Sequence, residues 1–142
     1  MANPQHLRLE FVTPDRAIVH EDVDEVELPG EEGYFGVLPG HAPMLAALRT
    51  GEMWYRRGNE KAFAFIGGGF AEVLGDRVSV LADVAERAED IDIPRAEAAK
   101  RRAEERLARP SAVDVDAERA RVALLRAIVR LQVSARQHHP RV

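Results

Sequence analysis

The chain has 142 residues, no cysteine, a 46% hydrophobic content and a formal net charge of −4. This excludes disulfides, thiolate metal sites and cysteine nucleophiles, and it argues for a packed core rather than disorder. No run of about 18 apolar residues occurs, so no membrane-spanning helix is expected. Residues 1–93 carry −10 and residues 94–142 carry +6, which points to two parts with different partners. The N-terminal stretch Met1–His6 has no basic-then-apolar leader, which leads us to expect a soluble intracellular protein that meets a membrane only through a partner. Serine is confined to Ser79, Ser111 and Ser134, which weakens a hydrolase reading.

From the N-terminus, His6–Phe11 alternates apolar and polar as a one-sided strand must. Ala17–Val19 and Val23–Leu28 continue the strand pattern, with acidic residues on the wet face of the second. Pro29-Gly30 and Glu31–Gly33 read as a turn, Tyr34–Leu38 as a short strand, and Pro39–Pro43 as a compact loop held by two prolines. Met44–Leu48 is apolar and either extended or helical, and Met53–Arg56 is strand-like. Gly58-Asn59 is a hairpin signal, and Phe63–Ile66 pairs back. Gly67-Gly68-Gly69 then reads as a turn between that strand and Phe70–Leu74, and Val78–Leu81 returns after Gly75-Asp76. Nine or ten short strands with turns every 8–12 residues are the pattern of a β-sandwich or barrel. Phe11, Phe35, Trp54, Phe63, Phe65 and Phe70 are expected to fill its core.

After Ile93 the sequence is helical. Asp92 is placed to cap a helix whose first turn takes Pro94. Ala96, Ala99, Ala103 and Leu107 follow at helical spacing, and Arg109-Pro110-Ser111 ends the helix. A second helix, capped by Asp114 or Asp116, has a wide apolar face of Val122, Leu124, Leu125, Ile128, Val129 and Leu131. The expected fold is therefore α+β: a β-sandwich or barrel over residues 1–88 and an antiparallel two-helix hairpin over residues 89–142. The helices repeat one another at a shift of 24 residues, which superimposes Arg95-Ala96 on Arg119-Ala120 and Arg102-Ala103 on Arg126-Ala127. Arg106-Leu107 falls likewise on Arg130-Leu131. Arg102/Arg106 and Arg126/Arg130 each place two guanidinium groups on one face, where they serve either as helix formers on a wet surface or as contacts for a partner. The first helix offers mostly alanine to its neighbour, so the hairpin is expected to open at modest cost.

No catalytic constellation emerges. The Gly67–Gly69 run does not enter a helix, as a phosphate loop must. His41 lies in a rigid loop without a nucleophile or a second ligand nearby, and His138-His139 reads as tail. The basic half lacks interleaved aromatics, so an acidic protein partner is favoured over nucleic acid. These residues alone support a non-catalytic binding or regulatory protein. A free-standing binding module with a helical tail and an enzyme using His41 as base remain competing readings.

The stretch Gly33-Tyr34-Phe35-Gly36-Val37-Leu38-Pro39-Gly40-His41-Ala42-Pro43 resembles the loop of epsilon subunits of F-type ATP synthases. Gly68-Gly69-Phe70-Ala71-Glu72-Val73 with Val78–Ala82 resembles the last two strands of that family, and Ala85–Asp92 resembles its domain junction. The resemblance implies an N-terminal antiparallel β-sandwich of about ten strands, a C-terminal two-helix hairpin, and a non-catalytic rotor-stalk subunit that couples rotation to ATP synthesis. It implies docking on the gamma subunit and the c-subunit ring through a loop containing Gly36, Pro39, Gly40, His41 and Pro43. It further implies a helical hairpin that reaches the alpha and beta subunits and inhibits ATP hydrolysis, at the cytoplasmic face of a bacterial plasma membrane. No cofactor is required, but some members bind a regulatory ATP through Ile/Leu-Asp-x-x-Arg-Ala, which here is Ile91-Asp92-Ile93-Pro94-Arg95-Ala96. Carried over by position, Glu86, Asp92, Arg95, Arg102, Arg126 and Arg130 would line that site, with arginines toward the phosphates.

Overall fold

A computed structural model describes residues 6–109 and 114–138, with the side chains of 114, 115, 137 and 138 excepted. Arg109 is described, but Pro110 and Ser111 of the expected helix stop are not, and neither are His139 and the side chain of His138. The chain forms two compact units, residues 1–87 and 88–142.

The described part of the first unit contains eight strands: β1 Leu7–Val12, β2 Ala17–Val23, β3 Glu25–Gly30, β4 Gly33–Val37, β5 Met44–Arg57, β6 Glu60–Leu74, β7 Arg77–Ala82 and β8 Ala85–Arg87. They hydrogen-bond in the order β2-β1-β7-β6-β5-β3-β4, with β8 also on β6. The long hairpin of β5 and β6 belongs to both layers. Its Trp54–Arg56 end pairs with β3, and its Gly69–Leu74 end pairs with β7. Between the layers lies a single core, to which β1 gives Leu7, Leu9 and Phe11, β3 gives Val26 and Leu28, and β7 gives Val78 and Val80. The sheet is not wholly antiparallel, because β1 and β7 run parallel, with Phe11 opposite Val80.

Two expectations fail at one place. Gly67-Gly68-Gly69 is no turn: it lies inside β6, which runs through it for 15 residues. Inward-facing residues are even-numbered before it (Ala64, Ile66) and odd-numbered after it (Ala71, Val73). The glycines absorb a change of face without interrupting the strand, as they do at sheet corners. Strands read as separate on either side are therefore one, and the same holds for Met44–Leu48 and Met53–Arg56 within β5. The change of face also turns Phe70 outward, 56% exposed, so it is not a core residue. Phe11 is fully buried in that core and Phe35 packs against it, whereas Phe65, fully buried, lies on the other face of β6 outside the core, and Trp54 and Phe63 are only half-buried and outside it too.

One acidic residue fastens the end of this unit where the β5–β6 hairpin turns. Asp24 Oδ2 accepts the Gly58 N–H at 2.7 Å, and its Oδ1 lies 2.9 Å from His6 Nδ1. Arg56 Nε donates to the neighbouring Glu25 at 3.1 Å. The Gly58 N–H, and after it the His6 contact, hold the Asp24 carboxyl below its usual value of 3.8. A depressed carboxylate contributes stability that is complete above the unfolded value and is lost as pH falls through the folded one. Asp24→Ala should therefore unfold at lower urea than the parent at about pH 6, with the gap closing below about pH 3. Urea titrations at the two pH values check this, and a gap that stays constant with pH would contradict it.

In the second unit, Ala88–Asp90 forms a 3-10 turn, followed by α1 Ile93–Leu107 and α2 Asp114–Ser134, then a 3-10 turn at Ala135–His138. Asp92 caps α1 as expected, its side chain accepting the Arg95 N–H at 3.1 Å, with Pro94 in the first turn. The helix ends at Leu107, with Ala108 as its C-cap. Asp116 lies inside α2 rather than at its cap. The two helices pack on each other. The buried residues of α1 are Ala96 and Ala103, and Ala120 and Ala127 are buried on α2. The two pairs coincide under the 24-residue shift, so the internal repeat is a repeat of packing positions. The wide apolar face predicted for α2 is only partly buried: Val129 is inside, whereas Val122 and Leu125 are 43% and 50% exposed.

Candidate functional site

The basic face of α2 forms the wall of an open groove of about 840 Å³ in the helical unit. Arg119, Val122, Arg126 and Arg130 recur at helical spacing along it, with Ala123 beside them and Ala99 contributed by α1. On the rim, Arg121 pairs with Glu118 at 2.8 Å, so that cation is partly satisfied locally. Three further guanidinium groups thus border a floor made of alanine and valine side chains. Such a groove suits an anion that also has a flat apolar part, because guanidinium forks match phosphate or carboxylate oxygens.

Of the residues carried over by position, the structure brings Arg126 and Arg130 together here. Asp92 and Arg95 meet at the start of α1 through the capping hydrogen bond, and both are exposed, as is Arg102 further along the same helix. Glu86 is on β8 in the other unit. Arg119 and Val122 were not among the expected residues. The signal that could have found Arg119 is the repeat itself, which places it on Arg95.

The Gly36–Pro43 segment leaves β4 and enters β5. Gly36 is still in β4, opposite Glu27. Leu38 to His41 forms a turn closed by the His41 N–H on the Leu38 carbonyl at 3.1 Å. The His41 ring donates from Nδ1 to the Ala42 carbonyl at 2.7 Å, which suits a loop-fixing histidine better than a catalytic base. Pro43 and Gly40 are exposed, as are Leu38 at 53% and Leu45 at 71%, so this end of the sandwich presents rigid apolar surface to solvent.

Two family models cover most of the chain. Residues 6–88 match the β-sandwich domain of the ATP synthase delta/epsilon chain, and residues 89–135 match its long α-helix domain. The chain belongs to the delta/epsilon family of ATP synthase. It is 53% identical to the ATP synthase epsilon chain of Nitratidesulfovibrio vulgaris over 127 residues, which cover 89% of this chain and 94% of that one. The epsilon chain of Solibacter usitatus is 51% identical, with 90% and 95% covered. A chain in the cryo-EM structure of the Euglena gracilis mitochondrial ATP synthase, OSCP/F1/c-ring in rotational state 1, superposes with a TM-score of 0.81 at 25% identity, covering 97% of this chain and 85% of that one. Membership makes this chain an epsilon-type, non-catalytic stalk subunit of a rotary ATP synthase. Among the described residues, no helix is long and apolar enough to cross a membrane.

Proposed function

We propose that this delta/epsilon-family chain docks its sandwich against the gamma subunit and the c-subunit ring, and so helps couple rotation to ATP synthesis at the cytoplasmic face of a bacterial membrane. The near-complete alignment with bacterial epsilon chains carries this reading. The helical unit acts as a regulatory arm that extends toward the alpha and beta subunits and inhibits ATP hydrolysis. Support comes from the charge: the half that contains the helices is net +6 in a chain that is net −4. A basic arm suits acidic surfaces of a catalytic head. The test is ATP hydrolysis by the reconstituted head with the full chain, compared with a chain ending at Arg87, where the first unit closes. The full chain should give several-fold lower hydrolysis. Equal rates would remove the inhibitory role and leave coupling and assembly.

ATP is the regulatory ligand in this proposal, held in part by Arg126 and Arg130 in the groove on α2. Ligand bound to the closed hairpin but not to the open one favours the closed state by mass action. Titrating the isolated protein with ATP should give saturable binding at millimolar concentration or below, weakened at least about tenfold by Arg126→Ala through loss of a charge-assisted contact. No saturation in the parent would sink the ATP role.

A further inference from the structure

A single guanidinium joins two edges of the sandwich just before the helical unit begins. The β1–β2 ladder pairs Phe11 with Val19 and Val12 with Ala17, so Ile18 is an extra residue of β2 with no counterpart in β1. A bulge of this kind leaves the added residue outside the ladder. Ile18 belongs to the buried core, where an unmatched carbonyl is costly. The Arg87 guanidinium, reaching across from β8, donates to that carbonyl. Its side chain sets out from the core side of β8: Ala85, two residues back, and Ala64, directly opposite, are both core residues. β2 is the last strand at one end of the sheet order, and β8 lies off that order on β6, so this bond ties together two strands that share no ladder.

From this arrangement we infer that Arg87 is a clamp that fixes the point at which the helical arm leaves the sandwich, and with it the length of the tether on which the arm works. The inference rests on the regulatory-arm reading above and adds the residue that positions the arm. β8 needs such a clamp, because it has three residues and, among the described residues, only β6 as a ladder partner, through Ala64–Ile66. The next residue, Ala88, opens the 3-10 turn that packs on α2 and on the turn at Ala135–His138. The chain therefore passes from one unit to the other across the Arg87–Ala88 link. Without the guanidinium, β8 is held by its short ladder alone, and its release adds three extended residues, or about 10 Å, to the tether. An arm that must meet a fixed surface loses effective concentration when its tether outgrows the span.

The test uses the full chain, alone and with the reconstituted head. Arg87→Met keeps the apolar stem of the side chain and removes its donors. Hydrogen exchange in the β6–β8 ladder of the isolated variant should quicken by about 10- to 100-fold, with β1 and β7 unchanged. With the head, Arg87→Met should lose most of the several-fold inhibition of hydrolysis that the parent gives, whereas Arg87→Lys, which keeps a donor without the planar fork, should retain about half of it. A parent chain with Gly-Ser-Gly inserted after Arg87 should lose inhibition to the same degree while its β8 exchange stays unchanged, which separates a longer tether from a weakened sandwich. Parent-like β8 exchange in Arg87→Met overturns the clamp. Full inhibition by Arg87→Met despite faster exchange, or by the insertion chain, overturns its role in placing the arm. Failure of the unaltered chain to lower hydrolysis would instead overturn the regulatory reading, and the placing role with it, while exchange would still decide the clamp.

Discussion

Replacing Gly69 by alanine should unfold the sandwich under conditions in which the parent is stable. Gly69 sits at φ +131, and a Cβ there would lie 2.2 Å from the Leu81 carbonyl oxygen and 2.8 Å from the Ala82 Cα. Both are backbone atoms of β7, to which β6 is hydrogen-bonded along six residues, so neither side can retreat without breaking the ladder. The penalty has two parts, a conformation that L residues rarely adopt and a clash with immovable atoms. Together they should reach about 4 kcal/mol or more, a large share of the about 5–15 kcal/mol that holds a domain together. Gly75 supplies the control. Its φ is +64, but nothing lies within 4 Å of the added carbon, so Gly75→Ala should cost only about 1–2 kcal/mol. Urea unfolding of the two variants separates them. A Gly69→Ala midpoint close to that of Gly75→Ala would mean that the strand corner is softer than its packing implies.

The same glycines explain why the fold was only partly legible in the sequence. Strand positions in β1 and β7 follow from alternation, because their side chains record which face is buried. Glycine has no side chain to record it, so a corner and a turn look alike at Gly67–Gly69. The outward position of Phe70 follows from the corner and from nothing local. The parallel pairing of β1 with β7 joins Phe11 to Val80, a separation that no local pattern encodes. The short β8 carries only Ala85–Arg87, too few residues to show a period, and what fixes it includes the Arg87 guanidinium donating to the Ile18 carbonyl. The helical unit was easier to read, since the Asp92 cap, Pro94 and the alanine spacing are all local signals. Its groove was legible only in part. Arg126 and Arg130 stand together because they are one turn apart on α2, whereas Asp92 and Arg95 sit at the start of a different helix. Glu86 belongs to the sandwich unit, and it was expected at a ligand only through the family resemblance, not through any spacing on a shared surface.

The 24-residue repeat leads to the second large effect. Ala103 and Ala127 are 3% and 1% exposed, and each is the other's counterpart under the shift. Alanine permits close helix approach but buries little area, so the hairpin gains little from apolar burial. It should also tolerate little added volume. Ala127→Leu inserts three further carbon atoms at a fully enclosed position, which in packed interiors costs about 1–3 kcal/mol. Set against a weak alanine contact, that is enough to populate the open hairpin substantially, while the sandwich, with its own core, keeps its stability. Hydrogen exchange should show amides of α1 and α2 losing about 10- to 100-fold of protection, with those of β1, β6 and β7 unchanged. Under the regulatory reading, the same variant should bind ATP more weakly, because ligand energy is then spent closing the hairpin. Protection in both helices as high as in the sandwich, in parent and variant alike, would show that the alanine seam is not the weak point of the molecule.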